Sequence, residues 1–187
     1  MTEDESPAGP APIMLEAIAA EIEAFVGQSG WDLGPMLFAL VPTRLLAADP
    51  NASDVLGADL VADPEEISDD AITPIAQEEL PEGSLDEALA QIGWPGEVVG
   101  CGLSQEIVML PPSAEPELDD LTIEAAASRA VEHPDRREAR LVVVVLRDGR
   151  SASILRLRGA AESGDDLLTG PDLAPNLVAA LSATLVD

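Results

Sequence analysis

Two strand-like segments on either side of residues 148 and 149 constrain the fold more than any other feature. Residues 140–147 and 150–158 are rich in Val, Leu and Ile, and Asp148-Gly149 lies between them. Asp-Gly between two apolar runs is typical of a two-residue hairpin turn. The sequence therefore predicts an antiparallel hairpin that pairs 147 with 150, 145 with 152, 143 with 154 and 141 with 156.

The predicted register sorts the hairpin side chains onto two faces of the sheet. One face is almost wholly apolar and is expected to lie against the core: Val142, Val144, Leu146, Leu155 and Leu157. The other face carries an aliphatic strip that consists of Leu141, Val143, Val145, Ala152 and Ile154. Four arginines border that strip, namely Arg147, Arg150, Arg156 and Arg158.

An aliphatic strip bordered by arginines is typical of a protein recognition surface. We therefore expect the partner-binding residues of this chain to be Val143, Val145, Ile154, Arg147, Arg150, Arg156 and Arg158. The commoner arrangement, which we favour, is a helix that covers the strip while the arginines extend past it to water. A covered strip would leave no such surface.

Hydrophobic periodicity in the rest of the chain predicts an α+β fold. Apolar residues at three- and four-residue steps predict a helix over 12–27, and Ser84 with Glu87 forms a capping-box pattern before a short helix over 85–92. The predicted order is α-β-β-α-β-α-β-β-α, with strands at 36–41, 71–79 and 97–110 and helices at 121–132 and after residue 171. We expect an antiparallel or mixed sheet of about five strands with helices packed on it.

The predicted domain organisation is simple. We expect residues 1–11 to form a disordered acidic arm and residues 12–187 to form a single α+β domain, with acidic loops at 47–70 and 111–120. In the predicted strand over 97–110, Cys101 shares its parity with Leu103 and Ile107, so its side chain is expected to be buried. Gly100 and Gly102 have the other parity and would permit a bend or the close approach of a neighbouring helix.

Charge excludes several classes of partner. The formal net charge is −27, and all nine basic residues are arginine. Residues 1–128 contain 27 of the acidic residues and only Arg44 as a base, whereas residues 129–187 contain nine acidic residues and eight arginines. Such a chain repels nucleic acid and anionic membranes, so we expect neither as a direct partner.

Compartment and chemistry follow from what the sequence lacks. An acidic N-terminus, a single cysteine and the absence of an apolar run of about 20 residues predict a cytoplasmic protein. Cys101 has only His133 as a potential histidine base, and no pattern brings the two together. Neighbouring carboxylates such as Glu65-Glu66 and Asp69-Asp70 lack the spacing of a calcium loop. We expect no catalytic activity, no cofactor and no metal.

Three segments resemble a known family. They are Ile-Gly-Trp-Pro-Gly-Glu-Val-Val-Gly-Cys-Gly-Leu at 92–103, Val-Glu-His-Pro-Asp-Arg-Arg at 131–137 and Leu-Arg-Asp-Gly at 146–149. Together they are similar to an uncharacterised family of acidic proteins from high-GC actinobacteria; the resemblance covers most of residues 72–187 and, less closely, the first helix and strand. The resemblance implies a lineage and a cytoplasmic setting, and it implies no site residues.

Three functions are consistent with these features. The leading expectation is a protein-binding module, adaptor-like or chaperone-like, that is a monomer or homodimer. Its expected architecture is similar to that of type III secretion chaperones, which is a likeness of fold alone. The alternative is an acidic decoy that imitates nucleic acid and occupies a basic protein groove. An enzyme of unknown type comes third.

Overall fold

A six-stranded antiparallel sheet organises the part of the chain that the structure, a computed structural model, describes: residues 12–48, 67–78, 80–118, 120–159, 167–170 and 173–186. The strands are β1 Met36–Pro42, β2 Ile72–Ala76, β3 Gly100–Met109, β4 Arg137–Leu146, β5 Ser151–Leu157 and β6 Leu167–Thr169. Their spatial order is β2-β1-β3-β4-β5-β6. The predicted α+β class is confirmed, with one strand more than expected.

Five α-helices accompany the sheet: α1 Pro12–Gly27, α2 Thr43–Ala47, α3 Leu85–Leu89, α4 Ile123–Glu132 and α5 Pro175–Thr184. The sequence did not predict α2 or β6. The predicted capping box of α3 is confirmed, because Ser84 Oγ accepts a hydrogen bond from the Glu87 amide and the Glu87 carboxylate accepts one from the Ser84 amide. A 3-10 helix, Pro112–Glu117, lies within the predicted acidic loop 111–120. The predicted arm 1–11 and most of loop 47–70 lie outside the described residues.

Helices cover both faces of the sheet, so the core has two layers. On one face, α1 packs Leu15, Ile18 and Ile22 against residues of β1, β4 and β5. On the other, α5 packs Leu177, Leu181 and Leu185 against β3, β4 and β5. The central strands are therefore buried on both sides.

Gly102 explains how α1 approaches the sheet so closely. A Cβ atom at this position would lie 3.0 Å from Ile22 Cδ1 and 3.2 Å from Val144 Cγ1. The predicted close approach of a helix is confirmed here. At Gly100 the close neighbour is instead a strand, because a Cβ atom would lie 2.4 Å from the Val145 carbonyl oxygen.

The hairpin register differs by one residue from the prediction. Val145 pairs with Ser151, Val143 with Ser153 and Leu141 with Leu155. The reason is a three-residue loop, closed by hydrogen bonds from the Leu146 amide to the Arg150 carbonyl and from the Gly149 amide to the Leu146 carbonyl. Gly149 has φ +88°, as the last position of such a loop requires.

A one-residue slip moves every β5 side chain to the opposite face. Ile154 therefore joins the face covered by α1, while Val143 and Val145 lie under α5 on the other face. All three side chains are fully buried. The aliphatic strip predicted from the sequence is not formed, and these three residues are not available as partner contacts.

Candidate functional site

Arginines collect at the end of the hairpin that lies farthest from its turn. Because β4 and β5 are antiparallel, the start of β4 and the end of β5 meet, and Arg140 pairs directly with Arg156. Five arginines lie on these strand ends and their flanking residues, and we call them the arginine cluster: Arg136, Arg137, Arg140, Arg156 and Arg158.

Arg140 is the buried centre of the cluster, with 2% of its surface exposed. Its Nη1 lies 3.4 Å from Glu23 Oε1, its Nη2 lies 3.6 Å from Glu106 Oε1, and its Nη2 also donates to the Gly30 carbonyl. Its Nε is buried without a hydrogen-bond partner among the described residues. Because Glu23 lies in α1 and Gly30 follows that helix, Arg140 ties the end of α1 to the sheet.

Glu23 offsets the repulsion between two opposed arginines. Its Oε1 lies 2.7 Å from Arg156 Nε as well as 3.4 Å from Arg140 Nη1. Like charges directly opposite each other on neighbouring strands are destabilising, so a carboxylate between them is required. Arg156 remains 29% exposed in its side chain. Its Nη atoms make no hydrogen bond or ion pair with the rest of the described chain.

Trp31 contacts two guanidinium groups of the cluster. Arg140 Cζ lies 4.6 Å and Arg158 Cζ 5.5 Å from the centre of the indole ring, within cation–π distance. Arg158 holds Asp32 through two hydrogen bonds of 2.9 Å and Glu138 through one of 2.5 Å. The hydrogen bond from Arg158 lowers the pKa of Asp32, and both carboxylates raise the pKa of Arg158.

The turn that carries Trp31 has an uncommon backbone conformation. Asp32 has φ +66°, and every other described residue with a positive φ is a glycine. Glu106 holds this turn, because its carboxylate accepts hydrogen bonds from the Asp32 amide at 2.9 Å and the Leu33 amide at 3.2 Å. Left-handed backbone at a non-glycine residue costs energy and is concentrated at functional sites.

Two adjoining clefts open beside the cluster. The larger has a volume of about 620 Å³ and is lined by Pro134, Arg136, Arg137, Glu138, Leu157, Arg158 and Gly159. The smaller has about 310 Å³ and is lined by Glu23, Gly27, Trp31, Arg140, Arg156, Leu157 and Gly159. Both include Leu157 and Gly159, so they are contiguous. Among the described residues, five arginines and two carboxylates line them together.

The other two predicted contact arginines lie outside this site. Arg147 is used internally: Nε donates to the Val98 carbonyl at 2.8 Å, Nη2 to the Trp94 carbonyl at 3.1 Å, and Nη1 to the Leu185 carbonyl. Arg150 lies at the hairpin turn, where its side chain bonds to Asp148 at 2.9 and 2.5 Å. Of the seven predicted contact residues, only Arg156 and Arg158 belong to the cluster.

Sequence reasoning missed the remaining members of the site. Arg136, Arg137 and Arg140 precede the apolar run at 141–146, but the predicted register pairs 141 with 156 and so places Arg140 and Arg156 on opposite faces. Only the observed register brings the two together. Trp31 and Glu23 had no signal in the sequence, because they reach the cluster through the packing of α1 and of the turn that follows it.

The environment of Cys101 does not activate its thiol as a nucleophile. Its side chain is buried, as predicted, and its Sγ lies 3.8 Å from the Leu181 carbonyl oxygen and 3.7 Å from Thr184 Oγ1. Burial raises the pKa of the thiol to about 11. His133 Nδ1 accepts a hydrogen bond from the Asp135 amide at the end of α4. Within the described ranges, no three His, Cys, Asp or Glu side chains are grouped as a metal ion requires.

The fold and the site define an α+β protein with an arginine-lined pair of clefts on a strongly acidic chain. A family model matches residues 15–186, and the chain belongs to the family of PPA1309-like proteins. Membership in an uncharacterised family is thereby confirmed. Searches of curated proteins and of solved structures found no match. None of the described helices is long and apolar enough to cross a membrane.

Proposed function

We propose that this protein is a protein-binding module, adaptor-like or chaperone-like, that meets its partner at the arginine cluster and has no catalytic activity. The observation that carries the proposal is the lining of the two clefts: five arginines with two carboxylates, on a chain of net charge −27. Arginine and tryptophan are the residues that most often dominate the free energy of protein association. Both are present here, with part of each cleft open to solvent.

The chemistry of the cluster supports binding rather than catalysis. A guanidinium stays protonated throughout the physiological range, so it donates hydrogen bonds and supplies no general base. The nearby carboxylates that could act as bases are already paired, Glu23 with two arginines and Glu138 with Arg158. Cys101 is shielded by α5. The cluster is suited to holding an anionic group in place.

Charge outside the cluster restricts the partner. A strongly acidic surface repels acidic proteins, nucleic acids and anionic membranes, so an anionic partner group is attracted only where arginines gather. A cytoplasmic setting in a high-GC actinobacterium, and a monomeric or homodimeric state, are parts of this proposal.

Capture from a native cytoplasm tests the proposal when it is run with two matched double variants. Arg136→Gln with Arg137→Gln removes two arginines from the larger cleft. Arg44→Gln with Arg150→Gln changes the net charge equally but alters contacts outside the clefts, which include the ion pairs with Asp69 and Asp148 and the hydrogen bonds of Arg44 to the Ile67 carbonyl. We expect one partner to be captured by the wild type and the control, to be lost with the cluster variant, and to bind again as a purified protein. Equal capture by all three proteins refutes the proposal.

An acidic decoy is the second candidate, and the concentration of 27 acidic residues in residues 1–128 favours it. A decoy binds through carboxylates, so neutralising the exposed Asp69 and Asp70, with Glu65 and Glu66, is expected to abolish capture. The cluster variant should then bind normally. Salt separates the two candidates further, because a complex made of many exposed ionic contacts weakens steeply as ionic strength rises.

A further inference from the structure

The clefts contain arginine donors that the fold does not use. The Arg137 side chain is exposed and makes no ion pair or hydrogen bond with another described residue. Arg136 reaches Glu138 only at 3.8 Å. Arg156 uses Nε alone, which leaves its two Nη atoms. Three neighbouring arginines therefore retain hydrogen-bond donors that no other described residue uses.

The carboxylate of the larger cleft does not cancel this charge. Among the described residues that line it, Glu138 is the only acidic one, and it is already held by Arg158 at 2.5 Å. The described lining thus consists of three arginines and one engaged carboxylate, together with Pro134, Leu157 and Gly159.

The number of arginines indicates which anion fits. A carboxylate is satisfied by one guanidinium through two parallel hydrogen bonds, and Arg158 already makes that pair with Asp32. A phosphate group carries close to two negative charges and three terminal oxygens, so it uses several guanidiniums at once. We propose that the larger cleft binds a phosphate group, with Arg136 and Arg137 as its ligands and the engaged Arg158 beside them in the lining.

This inference rests on the proposed function, because the same arginine cluster is the contact site. It adds that the group bound there is a phosphate. Two sources can supply a phosphate group, a phosphorylated side chain of a partner protein or a small phosphate compound. Both present the same tetrahedral oxyanion to the cleft.

Trp31 provides the readout. Its indole ring contacts Arg158, and Arg158 lines the larger cleft. An anion that moves the Arg158 guanidinium therefore changes the environment of the indole. The second tryptophan, Trp94, donates to Thr184 on the other face of the sheet. The variant Trp94→Phe leaves Trp31 as the sole emitter, and thermal melting verifies that this variant is folded.

The experiment is a titration of the full chain with inorganic phosphate, pyrophosphate and a phosphoserine peptide, at constant ionic strength set with chloride. Fluorescence of the Trp94→Phe protein and calorimetry of the wild type follow binding. We expect saturable binding that weakens roughly ten-fold or more in the Arg136→Gln, Arg137→Gln variant. The control Arg44→Gln, Arg150→Gln should match the wild type. Arg137→Lys should bind with intermediate affinity, since lysine keeps the charge but loses the planar fork.

Each outcome decides the inference. Tighter binding of the peptide than of inorganic phosphate assigns the source to a partner protein, and the reverse assigns it to a small compound. No saturable binding of any of the three probes overturns the inference, as does equal weakening by the cluster and control variants. If no probe binds while partner capture still depends on Arg136 and Arg137, the inference falls and the protein-binding proposal stands. If the probes bind and no partner depends on the cluster, the phosphate inference stands and the protein-binding proposal falls.

Discussion

Alkaline pH should destabilise this protein through a single side chain. The chain has no tyrosine, and all nine of its basic residues are arginine. Lysine and tyrosine, which dominate the titration of most proteins between pH 9 and 11, are therefore missing, while histidine titrates well below that window and arginine above it. Among the side chains of this protein, only the thiol of Cys101 changes its charge there.

The structure gives the direction and the size of the effect. Cys101 is fully buried between β3 and α5, and burial raises the pKa of its thiol to about 11, although the Thr184 hydroxyl and Arg147 oppose the rise. In the unfolded chain a thiol has a pKa of about 8.5. The raised pKa means that the protonated thiol stabilises the folded state relative to the unfolded state. Its contribution to the unfolding free energy is fully present below pH 8.5 and is lost as pH rises through 11.

The loss should amount to about 1.4 kcal/mol per pH unit, and to roughly 3 kcal/mol over the whole window. Small domains have total stabilities of about 5–15 kcal/mol, so the effect is easily measured. The assay is urea unfolding at pH values from 8 to 11, in reducing buffer, with far-ultraviolet circular dichroism. The change in unfolding free energy should be nearly linear between pH 9 and 11.

Cys101→Ala is the matched control. It should cost on the order of 1–2 kcal/mol at pH 8 through lost packing. Its unfolding free energy should then stay constant up to pH 11, so the two curves should cross near the middle of the window. A parallel decline of the two proteins would show that the alkaline loss has another origin and would refute the reasoning.

Three further predictions concern the charged groups. Glu23→Gln should destabilise the fold by about 3 kcal/mol, because Arg140 loses its nearest buried counter-charge. The control Glu21→Gln, on the exposed side of α1, should change the unfolding free energy by less than about 0.5 kcal/mol. Urea unfolding of the two variants and the wild type measures both effects. The pKa of Asp32 is lowered by Arg158, so its stabilising contribution is present above the unfolded pKa and lost as pH falls through the folded one. Asp32→Asn should therefore flatten the acid limb of the stability curve, and an unchanged limb would contradict this. Melting with EDTA or with millimolar Ca²⁺ or Mg²⁺ should reveal no specific ion dependence, only a small unselective rise as counter-ions screen the negative charge; a strong rise with one ion alone would overturn the expectation.

Local signals in the sequence were sufficient for most of the elements. The three- and four-residue steps of Leu15, Ile18 and Ile22 predicted α1 with the bounds that the structure has. Ser84 and Glu87 predicted the start of α3, since a capping box is formed by residues three apart. The parity of Cys101 with Leu103 predicted its burial. Each of these inferences depends on residues that are close in the chain, which is why the sequence alone determined them.

Tertiary structure decided the hairpin register and the membership of the site. Asp148-Gly149 is compatible with a two-residue and a three-residue loop, and only the packing of both sheet faces selects between them. That choice buried Ile154 under α1. Arg140 meets Glu23 across 117 positions of the chain, and Arg158 meets Asp32 across 126. Such contacts depend on where α1 and its following turn dock on the sheet, and no local pattern carries that information.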